Sequence, residues 1–311
     1  MYSRKRMTGL AAAGMSGALL LTACGGGDGQ DLTGDNGGAG EDAKEIEIAL
    51  IAWEEGIAVT HMWEAILEEK GYDVTLTEVD VAPAFQGIAN GDVDLFLDTW
   101  LPTTHEEYWN DYGDDLEDLG SWYDNATLTL TVPAYMEDVN EIGDLADHAD
   151  ELDNRIVGID PGAGLTAQTE NEAMPGYGLD EDFELVTSSG AAMQAELASA
   201  ISEEEPIVVT LWRPHPAYAE HDLKDLEDPE GHMGETESLH SMGRTGFSED
   251  YPSLSGWIED WEMSDEELSA LEVLTLEEYA DEPTEGARVW LSENPEFLER
   301  TMGEDAEGLE F

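Results

Sequence analysis

The chain has 311 residues, 41% of them hydrophobic and nine of them Trp, which excludes wholesale disorder and leaves room for one large domain or two ordinary ones. Acidic residues number 74 against 11 Lys plus Arg, a formal net charge of −63. That balance excludes nucleic-acid and anionic-membrane binding surfaces, and it reads as a solvated acidic shell suited to concentrated salt rather than as the match for a cationic partner protein.

Arg4, Lys5 and Arg6 open the chain, ahead of a short apolar run from Met7 to Leu21. A basic start and a run too short to span a bilayer comfortably predict a signal peptide over residues 1–23. The run ends at Leu21-Thr22-Ala23-Cys24, which resembles a bacterial lipobox and implies lipidation of Cys24. Cys24 is the sole cysteine, so neither a disulfide nor a cysteine nucleophile is expected in the folded part. Residues 24–43 then read as a flexible tether, with eight Gly among the 19 positions that follow Cys24.

From Lys44 the pattern changes. Ile46, Ile48, Leu50 and Ile51 predict a strand that ends at Trp53-Glu54-Glu55-Gly56. Ala58, Val59, Met62, Trp63, Ile66 and Leu67 recur at helical spacing until Gly71. Val74 to Val79 alternates as a second strand, and Pro83 to Asn90 is a short helix. Gly91 to His105 begins as a buried strand (Val93, Leu95, Phe96, Leu97) and stops at Trp100, since Pro102 forbids a simple central-strand continuation. An indole and an imidazole, His105, therefore sit just past the end of a core strand, where open α/β sheets bind ligands.

The chain repeats this arrangement. Residues from Ile156 laid against those from Ile48 place Gly164 on Gly56, Leu165 on Ile57 and Ala173 on Ala65. Pro206 to Leu211 is another buried apolar strand, ended by Trp212-Arg213-Pro214 as Trp100-Leu101-Pro102 ends the first. Turn glycine and Trp are 44 residues apart in the first half and 48 in the second. Two α/β lobes follow, lobe 1 over 44–132 plus 248–302 and lobe 2 over 133–247, with an acidic tail at 303–311. Thr127 to Met136 reads as the crossover strand between them, with Glu237 to Phe247 as its lobe-two counterpart. Ser264 with Glu267, and Thr275 with Glu278, read as capping boxes of C-terminal helices.

Trp53, Trp100 and Trp212 at strand ends suggest an aromatic box for a cation, because an indole face carries negative potential and a quaternary ammonium offers no hydrogen bond. Gly162 to Leu165, just ahead of a helix, could present backbone N–H groups to an anion. Together with His105 these predict a small zwitterion. The motifs AWEEGIA, DLFLDTWLPTTH, GIDPGAGL and VVTLWRPH resemble those of the glycine-betaine-binding lipoproteins of ABC importers for compatible solutes, over about Glu45 to Met302. The resemblance implies the two-lobed α/β type II periplasmic-binding-protein fold, with a three-Trp box on Trp53, Trp100 and Trp212. It implies a carboxylate site of His105 with the Gly164 and Leu165 amides. As partners it implies membrane subunits of an importer and a lipid anchor outside the cell membrane.

Choline, carnitine, proline betaine or a sulfonium analogue would also fill such a box. An enzyme is the rival class, and an adhesive surface lipoprotein a third. His215 with His221, and His232 with His240, are conceivable metal pairs, yet no HExxH or Cys–His spacing accompanies them. P-loops and nucleophile elbows are absent, so no cofactor is expected.

Overall fold

The computed structural model describes residues 42–311. The expected signal peptide, Cys24 and nearly all of the tether lie outside the described residues. Asp42 is already part of the fold. Its carboxylate accepts the Tyr72 hydroxyl and the Ser253 and Leu254 amides, the last two at 2.9 and 3.1 Å.

The first half runs β1 (Glu45–Leu50), α1 (Glu54–Glu69), β2 (Asp73–Glu78), α2 (Val81–Asn90) and β3 (Leu95–Leu101), as the periodicity predicts. Helix α1 buries Ala58, Val59, Met62, Trp63 and Ile66 along one stripe, and the chain leaves it at Gly71 with φ +82°. Next come α3 (Glu106–Tyr112) and β4 (Leu116–Pro133). The second half is β5 (Arg155–Val157), α4 (Gly164–Gln168) continuing through a π turn into α5 (Met174–Gly176), β6 (Glu184–Val186), α6 (Gly190–Glu203) and β7 (Val209–Arg213). After α7 (Ala217–Glu220), β8 (Leu223–Asp225) and β9 (Glu237–Arg244), the chain closes with five helices. They are α8 (Phe247–Asp250), α9 (Pro252–Asp260), α10 (Asp265–Glu272), α11 (Pro283–Glu293) and α12 (Pro295–Met302). Helices α10 and α11 pack on α1, so the C-terminal region returns to the first half.

Strand order is β2-β1-β3-β9-β4-β7-β5-β6, with β8 beside β4. In the first half β1 lies parallel between β2 and β3; in the second, β5 lies parallel between β6 and β7. The two β-α-β-α-β units thus share one topology, and β4 joins them. Its N-terminal part pairs with β9, and Thr127 to Thr131 pair with β7.

Four details depart from the sequence expectations. The crossover strand begins at Leu116, not Thr127, because residues 116–126 follow β9 through three register shifts that hide their alternation. Strand β9, expected beside the second half, pairs with β3 and β4 on the first sheet. The Ser264–Glu267 capping box is present, but Thr275 caps nothing; its hydroxyl donates to Leu271 O (2.8 Å) inside a helix that runs on through a π turn. The acidic C-terminus makes a 3₁₀ turn over Gly303–Ala306, and Leu309 and Phe311 pack against the core.

Candidate functional site

Trp53, Trp100 and Trp212 come from three elements and meet on one cavity. Trp53 is the N-cap residue of α1, Trp100 lies near the end of β3, and Trp212 near the end of β7. They line one small cavity together with Glu55, Thr104, Leu128, Ile159, Ala163, Gly164 and Leu165. Each indole is at most 6% exposed. The bonds Leu101–Pro102 and Arg213–Pro214 that follow the two strand-end Trp residues are both cis.

Two of the three rings are held by buried acids. Trp100 Nε1 donates to Asp98 Oδ1 (3.0 Å), two residues back on the same strand. Trp212 Nε1 donates to Glu55 Oε2 (2.8 Å) on α1, in the other half. An N–H that donates to a carboxylate pushes electron density into its ring, which deepens the negative face a cation would meet. Asp98 and Glu55 are each 1% exposed, and each keeps a second oxygen without a hydrogen-bond partner. Burial pushes Asp98 up to about 7, with the Trp100 N–H opposing and the Glu54 charge adding. Burial, then the Asp98 charge, pushes Glu55 well above the ordinary carboxylate range. Two acids crowded in this way resist losing both protons, and a cation placed above them would ease that loss.

The start of α4 reaches the same cavity. Gly164 and Leu165 are the first two residues of α4, and the first N–H groups of a helix have no intrahelical acceptor. Gly164 must be glycine, because a Cβ there would overlap the Thr104 carbonyl and come within 2.6 Å of Thr104 Cγ2. Its repeat partner Gly56 is constrained alike, since a Cβ would lie 2.6 Å from Asp98 Oδ2.

His105 is fully buried and does not line the cavity itself; its neighbour Thr104 does. Its ring stacks on Trp53 at 5.8 Å and meets Phe85 and Tyr108 edge-on. Trp100 N–H donates to His105 Nδ1 (3.0 Å), so the imidazole proton sits on Nε2, which has no partner. Burial lowers its pKa to about 3, which keeps the ring neutral with one free N–H to donate.

Sequence reasoning missed Glu54, Glu55, Thr104, His215 and Glu237. His215, named from the sequence only as half of a conceivable metal pair with His221, is buried with Nε2 3.2 Å from Glu54 Oε2, a close contact without an aligned hydrogen bond. Burial tends to raise Glu54, but His215 beside it and the Gln194 amide outweigh that and hold it below the ordinary range. The missing signal was available in part, since Glu54 and Glu55 follow the first box Trp directly and His215 follows Trp212 by three.

The fold and this cavity define a binding protein with two α/β lobes and a ligand cleft between them. It is the type II periplasmic-binding-protein fold. A crystal structure of the glycine betaine, L-proline ABC transporter binding protein ProX from Borrelia burgdorferi superposes with a TM-score of 0.81 at 30% identity, over 86% of this chain and 99% of that one. Lactococcal OpuAC, closed and complexed with glycine betaine, gives a TM-score of 0.77 at 30% identity, over 84% of this chain and 100% of that one. The chain belongs to the family of substrate binding domains of ABC-type glycine betaine transport systems, whose family model matches residues 44–293. Such proteins are solute-binding components of importers, not enzymes. The glycine betaine/carnitine transport binding protein GbuC of Listeria monocytogenes serotype 1/2a is 38% identical over 151 residues, which are 48% of this chain and 49% of that relative. The match thus spans about half the length of that curated relative.

Proposed function

We propose that this chain captures a quaternary-ammonium carboxylate, glycine betaine fitting best, and delivers it outside the cell membrane to the membrane subunits of an ABC importer. The observation that carries the reading is the meeting of three indoles from three elements on one cavity with the start of α4. The trimethylammonium sits against Trp53, Trp100 and Trp212, each desolvated ring contributing about 0.5–2 kcal/mol. The ligand carboxylate takes the Gly164 and Leu165 amides and the Nε2–H of His105. Names of similar proteins support the ligand class, since one is a glycine betaine/carnitine binding protein and another holds glycine betaine. Cys24 would carry the lipid anchor and residues 24–43 the tether. Among the described residues no helix is long and apolar enough to cross a membrane.

Choline is the alternative, filling the box while leaving the carboxylate donors unused. Calorimetric titration with glycine betaine, proline betaine, carnitine and choline decides between them. The betaines are expected to bind more tightly than choline, and choline binding as tightly as glycine betaine would overturn the carboxylate site. Closure supplies a second check. Glu54 and Glu55 on α1 contact Gln194, His215 and Trp212 of the other half, so ligand should favour the closed state and shrink the radius of gyration in solution scattering.

A further inference from the structure

Glu237, at the start of β9, is 3% exposed, and its carboxylate faces no Lys or Arg partner among the described residues. It accepts three donors from one short turn. The Thr103 and Thr104 amides both donate to Oε1, the latter at 2.9 Å, and the Thr104 hydroxyl donates to Oε2. That turn is the link between Trp100 and His105. Its other end is held by His105 N–H donating to Trp100 O (3.1 Å) and by Trp100 N–H donating to His105 Nδ1. Thr104 is also the residue whose carbonyl packs directly against Gly164, and both residues line the cavity.

A chain of net charge −63 gains nothing in solubility from one more acid, and burying one has a cost. Here the carboxylate gathers peptide N–H groups that would otherwise lie unpaired behind a turn. Neutral side chains could not accept all three bonds with the same strength, since a charged acceptor makes the stronger hydrogen bond. Pro102 sits in the same turn and has no N–H of its own, so the turn has few internal bonds to hold it.

We infer that Glu237 is a positioning residue for ligand specificity. By clamping Thr103 and Thr104 it sets the height of the His105 imidazole and of the wall that meets Gly164, and so favours ligands that carry a carboxylate. The inference rests on the carboxylate site proposed above. Without the clamp the cation box is left intact, because Trp53, Trp100 and Trp212 are held by α1, β3 and β7. Loss of Glu237 therefore falls on one end of the ligand.

The test is calorimetry of wild type, Glu237→Ala, Glu237→Gln, His105→Ala and the Glu237→Ala/His105→Ala double variant, each with glycine betaine and choline. Glu237→Ala should weaken glycine betaine about tenfold or more, the scale of a hydrogen bond to a charged group, and choline less than about threefold. Glu237→Gln, which still offers an oxygen to the two amides, should recover part of the betaine affinity. The double variant should bind betaine little worse than His105→Ala alone, since both changes remove the same contact. Equal losses for both ligands, or additive losses in the double variant, overturn the positioning role. If Glu237→Ala does not fold, Glu237→Gln carries the test, with a betaine-selective loss of a few fold expected and an unchanged ligand ratio overturning it. Wild type binding choline as tightly as betaine would instead bring down the carboxylate site itself, before any variant is compared.

Discussion

The ends of β3 and β7 are built alike and used differently. Each strand delivers a buried Trp, then a cis-proline, then a buried histidine whose Nδ1 accepts a backbone N–H, from Trp100 in one case and Ala217 in the other. Each indole N–H rests on a carboxylate. The difference lies in the other nitrogen. His105 Nε2 stands among aromatic rings with no partner, whereas His215 Nε2 stands 3.2 Å from Glu54. One imidazole keeps an unpartnered nitrogen, and the other lies beside an acid of the opposite half. The carboxylates differ too, since Asp98 belongs to the same strand as its Trp while Glu55 reaches Trp212 from the other half. The first strand end thus forms a self-contained wall, and the second is tied across the cleft.

The largest combined effects should come from the rings, whose loss falls on affinity and stability together. Trp100→Ala and Trp212→Ala should each weaken glycine betaine by about 1–3 kcal/mol, as expected for a desolvated cation–π contact. Each also strands a buried carboxylate, costing about 1–3 kcal/mol of stability measured by denaturant melts. Affinity at the wild-type level in both variants would remove the box.

The histidines should separate more cleanly. His105→Ala should cost glycine betaine about 1.5–3 kcal/mol, the value of a hydrogen bond to a charged group, and cost choline far less. His215→Ala should weaken both ligands alike and lower the melting temperature, because it loosens the join between the halves. A betaine-selective loss at His215 instead of His105 would reverse the assignment.

A smaller effect should appear with pH. Asp98 has an ordinary value of 3.8 and stands near 7 in the fold. Between those values the folded protein keeps a proton that the unfolded chain has lost, so this group's contribution to stability declines as pH rises through that window. A bound cation favours the ionised form, so ligand affinity should rise by a few fold between about pH 5 and 8. Asp98→Asn should flatten both trends, and a steep affinity profile surviving in that variant would place the titration elsewhere.

The smallest effect on binding should be that of salt. Raising ionic strength screens the net charge of −63, so the melting temperature should climb. The buried contacts that distinguish the two strand ends are screened much less, so the ratio of betaine to choline affinity should hold within about twofold. A ratio that follows salt would point to surface charge, not the cavity, as the source of selectivity.

Much of this was legible because it is periodic. Alternating and helical apolar spacing named β1, α1, β2, α2 and β3 in order, and the repeated strand-Trp-x-Pro landmark marked both strand ends. The Trp residues stood out because a large ring at the end of a core strand is rare enough to notice twice, although the structure keeps Trp100 and Trp212 within β3 and β7. Strand β9 was placed beside the wrong half because chain order suggests neighbours, whereas hydrogen bonding to β3 and β4 decides them. The contact of His215 with Glu54 was not legible, because the two residues lie some 160 positions apart.

What the sequence by itself determined is a set of short-range facts: the strands and helices of the first half, the approximate ends of β3 and β7, and which residue types stand there. Those follow from local spacing and from the backbone limits of Pro and Gly. Only the tertiary structure decided which of 74 acids bear on this region, because Glu55, Asp98 and Glu237 are buried, as among the described acids only Glu272 also is, and meet donors at the strand ends, not because their chemistry differs. It also left His105 with an unpartnered nitrogen and set His215 beside Glu54. The same imidazole takes either role according to the groups packed around it, and those come from parts of the chain far apart in sequence.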